Sequence, residues 1–265
     1  MLDLMILERT VGDAARECDL AVAAQFNETP GCWAWRGEVP YPAASTIKLA
    51  ILVALFRAVD AGQANLAERT RLETGAKVPG TGVLHGMSSG LELSFADLTY
   101  LMIAISDNTA SNLLLDRLGF PAIGATIAAL GLSQTALNRP FLGRAPRGDE
   151  PENFTSARDL VTLLSAIAEG TAASAASCTR MREILALQQH RDRIARNLPD
   201  GVVFGGKSGT LPGLCHDSGL IEGPSGTLAL AVLTRSHHGA DPYAMDARIG
   251  RIAAAACKAV GLGTE

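Results

Sequence analysis

From Leu49 to Phe56 the chain reads LAILVALF, its longest unbroken run of apolar residues. A helix that is apolar on every side belongs in a core, and this run predicts one from Ser45 to about Gly62, begun by YPAAST. The run is far too short to span a bilayer. Residues 4–18 place apolar and charged positions at helical spacing, and LAVAAQF with CWAWRG predicts a short strand pair around NETPG. Further helices are predicted over 94–105, 109–118, 121–130, 156–169 and 178–188. Gly, Pro or a capping Ser/Thr separates most of them.

Beyond Arg196 the texture changes. GVVFGGKSGT, CHDSGLIEG and TLALAVLTRS are short β-rich runs joined by Gly/Pro turns, as in an antiparallel sheet. DPYAMDARIGRIAAAACKAVGLG then predicts a last helix ended by glycine. Strands at both ends with helices between them imply an α/β class fold. We expect a discontinuous α/β domain, 1–40 with 190–265, whose antiparallel sheet is flanked by the N- and C-terminal helices. An all-α domain, 41–189, is inserted in it, and a site between two such units is a common place for a pocket.

Composition narrows the partners. Hydrophobic content of 48% with 19% charged residues is that of a globular chain, and 265 residues can bury a substantial core. A formal net charge of −4 without any Lys/Arg-rich run gives no electrostatic case for nucleic acid. The five cysteines are scattered without CxxC spacing, so buried thiols are expected, with Cys215 of interest for its position. No histidine and carboxylate set has metal-ligand spacing, so neither metal nor cofactor is expected. The N-terminus carries acids in its first apolar stretch and does not resemble a signal peptide. The chain as written is expected in the cytoplasm and off the membrane, or in the periplasm or medium if an upstream signal has been removed.

Three short motifs carry chemistry. Ser45-Thr46-Ile47-Lys48 is an S-x-x-K at the start of the apolar helix, where residues i and i+3 share a face. A serine hydroxyl is a weak nucleophile until a base takes its proton, and a desolvated lysine can be that base. Ser106-Asp107-Asn108 follows the apolar run LTYLMIAI and offers a hydroxyl for proton transfer and an amide for a carbonyl or for the lysine. Lys207-Ser208-Gly209-Thr210 lies on a predicted strand, which can turn backbone N–H groups toward an oxyanion and side chains toward a carboxylate. Each also has an ordinary reading on its own: a helix cap with a surface lysine, a turn or cap, a glycine-rich turn.

Together and in this order they resemble the motif set of class A β-lactamases and penicillin-binding proteins. YPAASTIKL, VPGTGVL, LMIAISDNTASNLLLDRLG and QQHRDRIARNLPDGVVFGGKSGT extend the resemblance over most of the chain. It implies Ser45 as the acylated nucleophile, Lys48 as its proton acceptor or part of the relay, and Ser106 as the shuttle to the departing nitrogen. It implies that Asn108 orders the cleft and that Lys207, Ser208 and Thr210 recognise an acidic substrate group. The oxyanion hole would be the backbone N–H groups of Ser45 and Thr210.

One feature departs from that family. Class A enzymes hydrolyse the acyl-enzyme with a water activated by a glutamate in an Ω-shaped loop. Here the loop opens recognisably as Leu137-Asn138-Arg139-Pro140, and the next residue, where the glutamate belongs, is Phe141. Arg139 and Glu152 are expected to close the loop as an ion pair, while Glu150 and Glu152 lie too far along to serve as the base. Thr227 stands about where many class A enzymes carry an arginine for the substrate carboxylate. His85 and His216 are read as possible borders of the cleft, and His190, His237 and His238 as surface residues. The expected protein is a serine acyl hydrolase of the class A type, its partner a small acyl donor (a β-lactam, ester or thioester), with slow deacylation. An esterase, thioesterase or acyl transferase on the same scaffold is the first alternative, a non-catalytic binding protein the second. The oligomeric state stays open.

Overall fold

The computed structural model describes residues 4–237 and 242–263. In chain order it begins with α1 (Leu4–Ala14), β1 (Cys18–Phe26), β2 (Trp33–Trp35), β3 (Tyr41–Pro42) and α2 (Lys48–Asp60). The middle holds β4 (Arg69–Arg71), β5 (Glu92–Ser94), α3 (Phe95–Ala104), α4 (Asn108–Leu118), α5 (Phe120–Ala129), β6 (Phe154–Thr155), α6 (Ala157–Ala168) and α7 (Ala175–Ala186). It closes with β7 (Val203–Leu211), β8 (Leu214–Gly223), β9 (Gly226–Ser236) and α8 (Pro242–Val260). The predicted elements are present, with α1 ending four residues earlier than its spacing suggested and α7 beginning three residues earlier.

The main sheet runs β2-β1-β9-β8-β7, antiparallel throughout. Alternation along β1 divides its side chains between two cores. Cys18, Leu20, Val22 and Ala24 pack with α1 and α8, while Ala21 and Ala23 join the helices on the opposite face. That second face is rich in small residues (Ala21, Ala23, Ala229, Ala231), which lets α6 lie close against β1 and β9. Burial on both faces explains why these strands read as nearly continuous apolar runs.

Helix α2 runs through the helical core, and every residue from Lys48 to Phe56 is buried. This accounts for the unbroken apolar run, and it makes the one charged residue among the nine conspicuous. Side chains cap the starts of four other helices: Ser94 forms a capping box with Asp97 at α3, Asp107 caps α4, Ser156 caps α6 and Ser174 caps α7. The β7 edge of the sheet faces the turn before α2, which brings all three motifs to one cleft.

Candidate active site

Ser45 lies one turn ahead of where the sequence pattern puts it. It sits on a 3₁₀ turn, Ala44–Ile47, and α2 proper starts at Lys48. In a 3₁₀ turn residues i and i+3 eclipse, so Ser45 and Lys48 still share a side. No side chain caps this turn or α2, so Ser45 is not a capping serine. The preceding Ala44 holds a left-handed φ of 48°, which an alanine adopts only under local strain. Strand β7 presses against the turn here: a Cβ at Gly209 would stand 3.0 Å from the Ser45 backbone nitrogen. A side chain at 209 would push the strand and the serine turn apart by a few tenths of an ångström.

Lys48 is fully buried. Its Nζ lies 2.7 Å from the Ser106 carbonyl oxygen, 2.9 Å from Asn108 Oδ1 and 3.1 Å from Ser106 Oγ. Burial, with the nearby Lys207 charge, holds its pKa well below the usual lysine range. The carbonyl and amide oxygens can only accept. A neutral amine therefore donates its two hydrogens to them and turns its lone pair to the Ser106 hydroxyl. Ser106 carries a strained φ of 59° at the end of α3. Asp107 fixes the turn: its carboxylate accepts from Val83 N, Leu84 N and Ala110 N at 2.7–2.9 Å. It is a structural clamp between the 78–84 loop and α4.

The loop that opens at Leu137 closes as expected. Arg139 and Glu152 form an ion pair of 3.2 Å with both side chains almost wholly buried. Asn153 reinforces it, accepting from Asn138 N and Arg139 N and donating to the Arg139 carbonyl. Glu150 is held by Arg144 through two bonds of 2.6 and 2.8 Å, and that guanidinium pulls its carboxyl down to about 2. Both glutamates of the loop are therefore committed to arginines. Phe141 lines the cleft, and its ring centre lies 4.5 Å from Lys48 Nζ. Asn112 grips its backbone on both sides, accepting from Phe141 N at 2.9 Å and donating to Phe141 O at 2.8 Å.

On the sheet side, Lys207 is fully buried and its amine donates to the Ser208 carbonyl at 2.8 Å. Burial, partly countered by Asp217, lowers its pKa to about 7. Ser208 and Thr210 face the cleft, a space of about 210 Å³ that is also bounded by Ser45, Ser106, Asn108, Arg139 and Glu152. The predicted site residues thus converge, Lys48 and Lys207 lying beneath the cleft rather than on its wall.

Arg193, which the sequence did not single out, is the cation on this wall. Its guanidinium donates to Asp246 Oδ1 (2.8 Å), to the carbonyls of His216 (2.8 Å) and Gly209 (3.0 Å), and to Thr210 Oγ1 (2.7 Å). Thr227, by contrast, pairs with Glu222 at the far end of β9, because the β8–β9 register carries it away from Thr210. The residue directly across from Thr210 is Cys215. That thiol is buried and its Sγ lies 2.9 Å from Asp246 Oδ1. Burial, above all, raises its pKa, which favours the thiol over the thiolate.

The histidines divide differently from expectation. His85 is exposed and off the cleft wall. His216 is completely buried: its Nδ1 accepts from Thr234 N (3.1 Å) and its Nε2 donates to the Pro42 carbonyl (3.0 Å). His190 is exposed, as expected of a surface residue, but it also borders the cleft beside Asp192. His237 is exposed, and His238 falls outside the described residues. Among the described residues no cluster of His, Cys, Asp and Glu could hold a metal ion, and no helix is long and apolar enough to cross a membrane.

Comparison with known proteins places this geometry in a family. The model of the beta-lactamase enzyme family matches residues 9–260. A crystal structure of a beta-lactamase from Sphaerobacter thermophilus is 39% identical, covers 98% of both chains and superposes with a TM-score of 0.93. PBP-A is 27% identical, with 97% of this chain and 96% of that one covered, at a TM-score of 0.87. A leucine-to-glutamate mutant of PBP-A, described as an acyl-enzyme complex with penicillin G, aligns equally well. Among curated relatives, the beta-lactamase regulatory protein BlaB of Streptomyces cacaoi is 26% identical over 77% of this chain and 80% of its own. These similarities agree with the mixed α/β fold expected from the motifs. The chain belongs to the beta-lactamase enzyme family.

Proposed function

We propose that this protein is a serine acyl hydrolase that takes the acyl group of a β-lactam or a related amide or ester onto Ser45 and releases it slowly. The single observation that carries this reading is the surroundings of the Lys48 amine. It is joined to Ser106 and Asn108, it is sealed from solvent, and the ring centre of Phe141 lies 4.5 Å from it on the side of the loop.

In the first half-reaction Ser45 Oγ attacks the carbonyl carbon and its proton passes to the neutral Lys48, whose lone pair turns from the Ser106 hydroxyl to Ser45 for this step. The N–H groups of Ser45 and Thr210 stabilise the oxyanion. As the C–N bond breaks, Ser106 Oγ–H gives its proton to the departing nitrogen and is reprotonated from Lys48. Asn108 holds Lys48 in place. Thr210, Ser208 and Arg193, with Lys207 behind them, form a wall of donors suited to a carboxylate on the substrate.

The second half-reaction needs a base for water. The loop's two glutamates are tied to Arg139 and Arg144, which supports a long-lived acyl-enzyme. The test is labelling with a fluorescent penicillin. Folded wild type should be labelled on one residue, and Ser45→Ala should remain dark. If wild type also stayed dark, the binding-protein reading would replace this one. Ester and thioester donors would use the same residues, and turnover of such donors faster than of any penicillin would make them the substrate class.

A further inference from the structure

Phe141 does more than omit a carboxylate. The Lys48 amine has no exposed surface, whereas Phe141 borders the cleft, is 8% exposed, and has its ring centre 4.5 Å from that amine. The ring is thus one of the groups that can screen the amine from solvent in the cleft. Its backbone cannot easily swing away, because Asn112 binds both its N–H and its carbonyl. Two residues on, Gly143 has φ 68° and touches the 78–82 loop so closely that a Cβ there would overlap the Pro79 carbonyl. Gly80, facing it at φ 101°, leaves only 3.0 Å between its own notional Cβ and the Gly143 Cα. Only glycine permits this backbone-to-backbone seam. It closes the edge of the loop against the segment leading to Ser106.

We propose that Phe141 is a plug that keeps water from Lys48, and that exclusion of water from a base already present, as much as the missing glutamate, sets the lifetime of the acyl-enzyme. The inference rests on the acyl-enzyme reading above. With the plug removed, a water beside the amine attacks the acyl carbonyl carbon and loses one proton to Lys48 Nζ. The tetrahedral intermediate then expels Ser45 Oγ, which takes that proton back, so the enzyme is regenerated and the acid released. The reaction consumes one water and needs no other reactant.

The experiment is the decay of the benzylpenicillin adduct, followed by intact mass, in wild type, Phe141→Leu, Phe141→Ala and Asn112→Ala. Acylation by benzylpenicillin serves as the check that each variant is folded. A positioned base contributes about 10²–10⁴ in rate, so an amine that water reaches without further positioning should shorten the Phe141→Ala adduct lifetime at least about tenfold. Phe141→Leu, which still fills most of the space, should stay near wild type. Asn112→Ala frees the loop while keeping the ring and should fall between them. Should Phe141→Ala fail to acylate, Asn112→Ala decides: a shortened lifetime supports the plug. Lifetimes unchanged from wild type in the folded variants would overturn it while leaving the acyl-enzyme reading intact. A wild type that forms no adduct, or empties it at once, would overturn both.

Discussion

Arg193 donates a 2.7 Å hydrogen bond to the hydroxyl of Thr210, across the pocket wall from Ser45. Because that oxygen is already an acceptor, its own hydrogen is free to point into the cleft as a donor. Hydrogen bonds to a charged group contribute roughly 1.5–3 kcal/mol, about 10- to 150-fold in affinity. Arg193→Ala should therefore lower the second-order acylation constant for benzylpenicillin by about that factor. The methyl ester of the same penicillin should react equally with both proteins. Equal losses for acid and ester would mean that Arg193 acts only on the fold.

Arg193 is itself set by α8. Its Nε meets Asp246, and both side chains are nearly buried. Removing one partner of a buried ion pair typically costs about 3–5 kcal/mol, because the other charge is left without compensation. Asp246→Ala should lower the urea midpoint accordingly and lose the same preference for the carboxylate. Loss of stability with the acid-to-ester preference unchanged would detach α8 from substrate recognition.

Glu150 offers a contrasting expectation. It spells part of the missing pattern in sequence, yet Arg144 and the Arg147 N–H occupy its carboxylate. Glu150→Gln should leave the adduct lifetime as it is in wild type. A clear lengthening would make Glu150 a base in deacylation after all.

The pH dependence of acylation should have two limbs. Lys48 must be neutral to accept a proton, so the rate falls on acidification through its depressed pKa. Lys207 must be charged to favour a carboxylate, and burial places its pKa at about 7, so the rate for benzylpenicillin also falls as pH rises above that value. For the methyl ester the alkaline limb should be absent. Its persistence would remove Lys207 from carboxylate recognition.

His216 makes a stability prediction. Both ring nitrogens are occupied, and burial lowers its pKa to about 4, against about 6.5 in an unfolded chain. Between those values the unfolded state binds a proton that the folded state refuses, so stability is lost as pH falls from 6.5 toward 4. The slope is at most about 1.4 kcal/mol per pH unit. Urea midpoints measured at pH 6.5 and 4.5 should differ less in His216→Gln than in wild type. An equal difference would assign the acid sensitivity to other groups.

How much of this was readable in the sequence follows from the range of each interaction. The apolar run of α2 and the three motifs are local patterns, and they are enough to locate Ser45, Lys48, Ser106 and the β7 residues. Phe141 was visible because the loop's opening, Leu137 to Pro140, fixes its register. Arg193 was not visible. In RDRIAR it looks like one arginine among several, and what buries it is Asp246, 53 residues later on a different element. Thr227 lies away from the cleft for a related reason: strand register decides which residue faces Thr210, and that register is set by the β7–β8 and β8–β9 turns. Asn112 could have been found, since it lies four residues beyond Asn108 on the same face of α4.

The central claim is that Ser45 is acylated and then stays acylated. It is tested most directly by an intact-mass time course after mixing the wild-type protein with a small excess of benzylpenicillin. The account predicts one penicillin per chain, located on Ser45, persisting long after free penicillin has been removed. Rapid and complete hydrolysis of the penicillin with no accumulating adduct would contradict it.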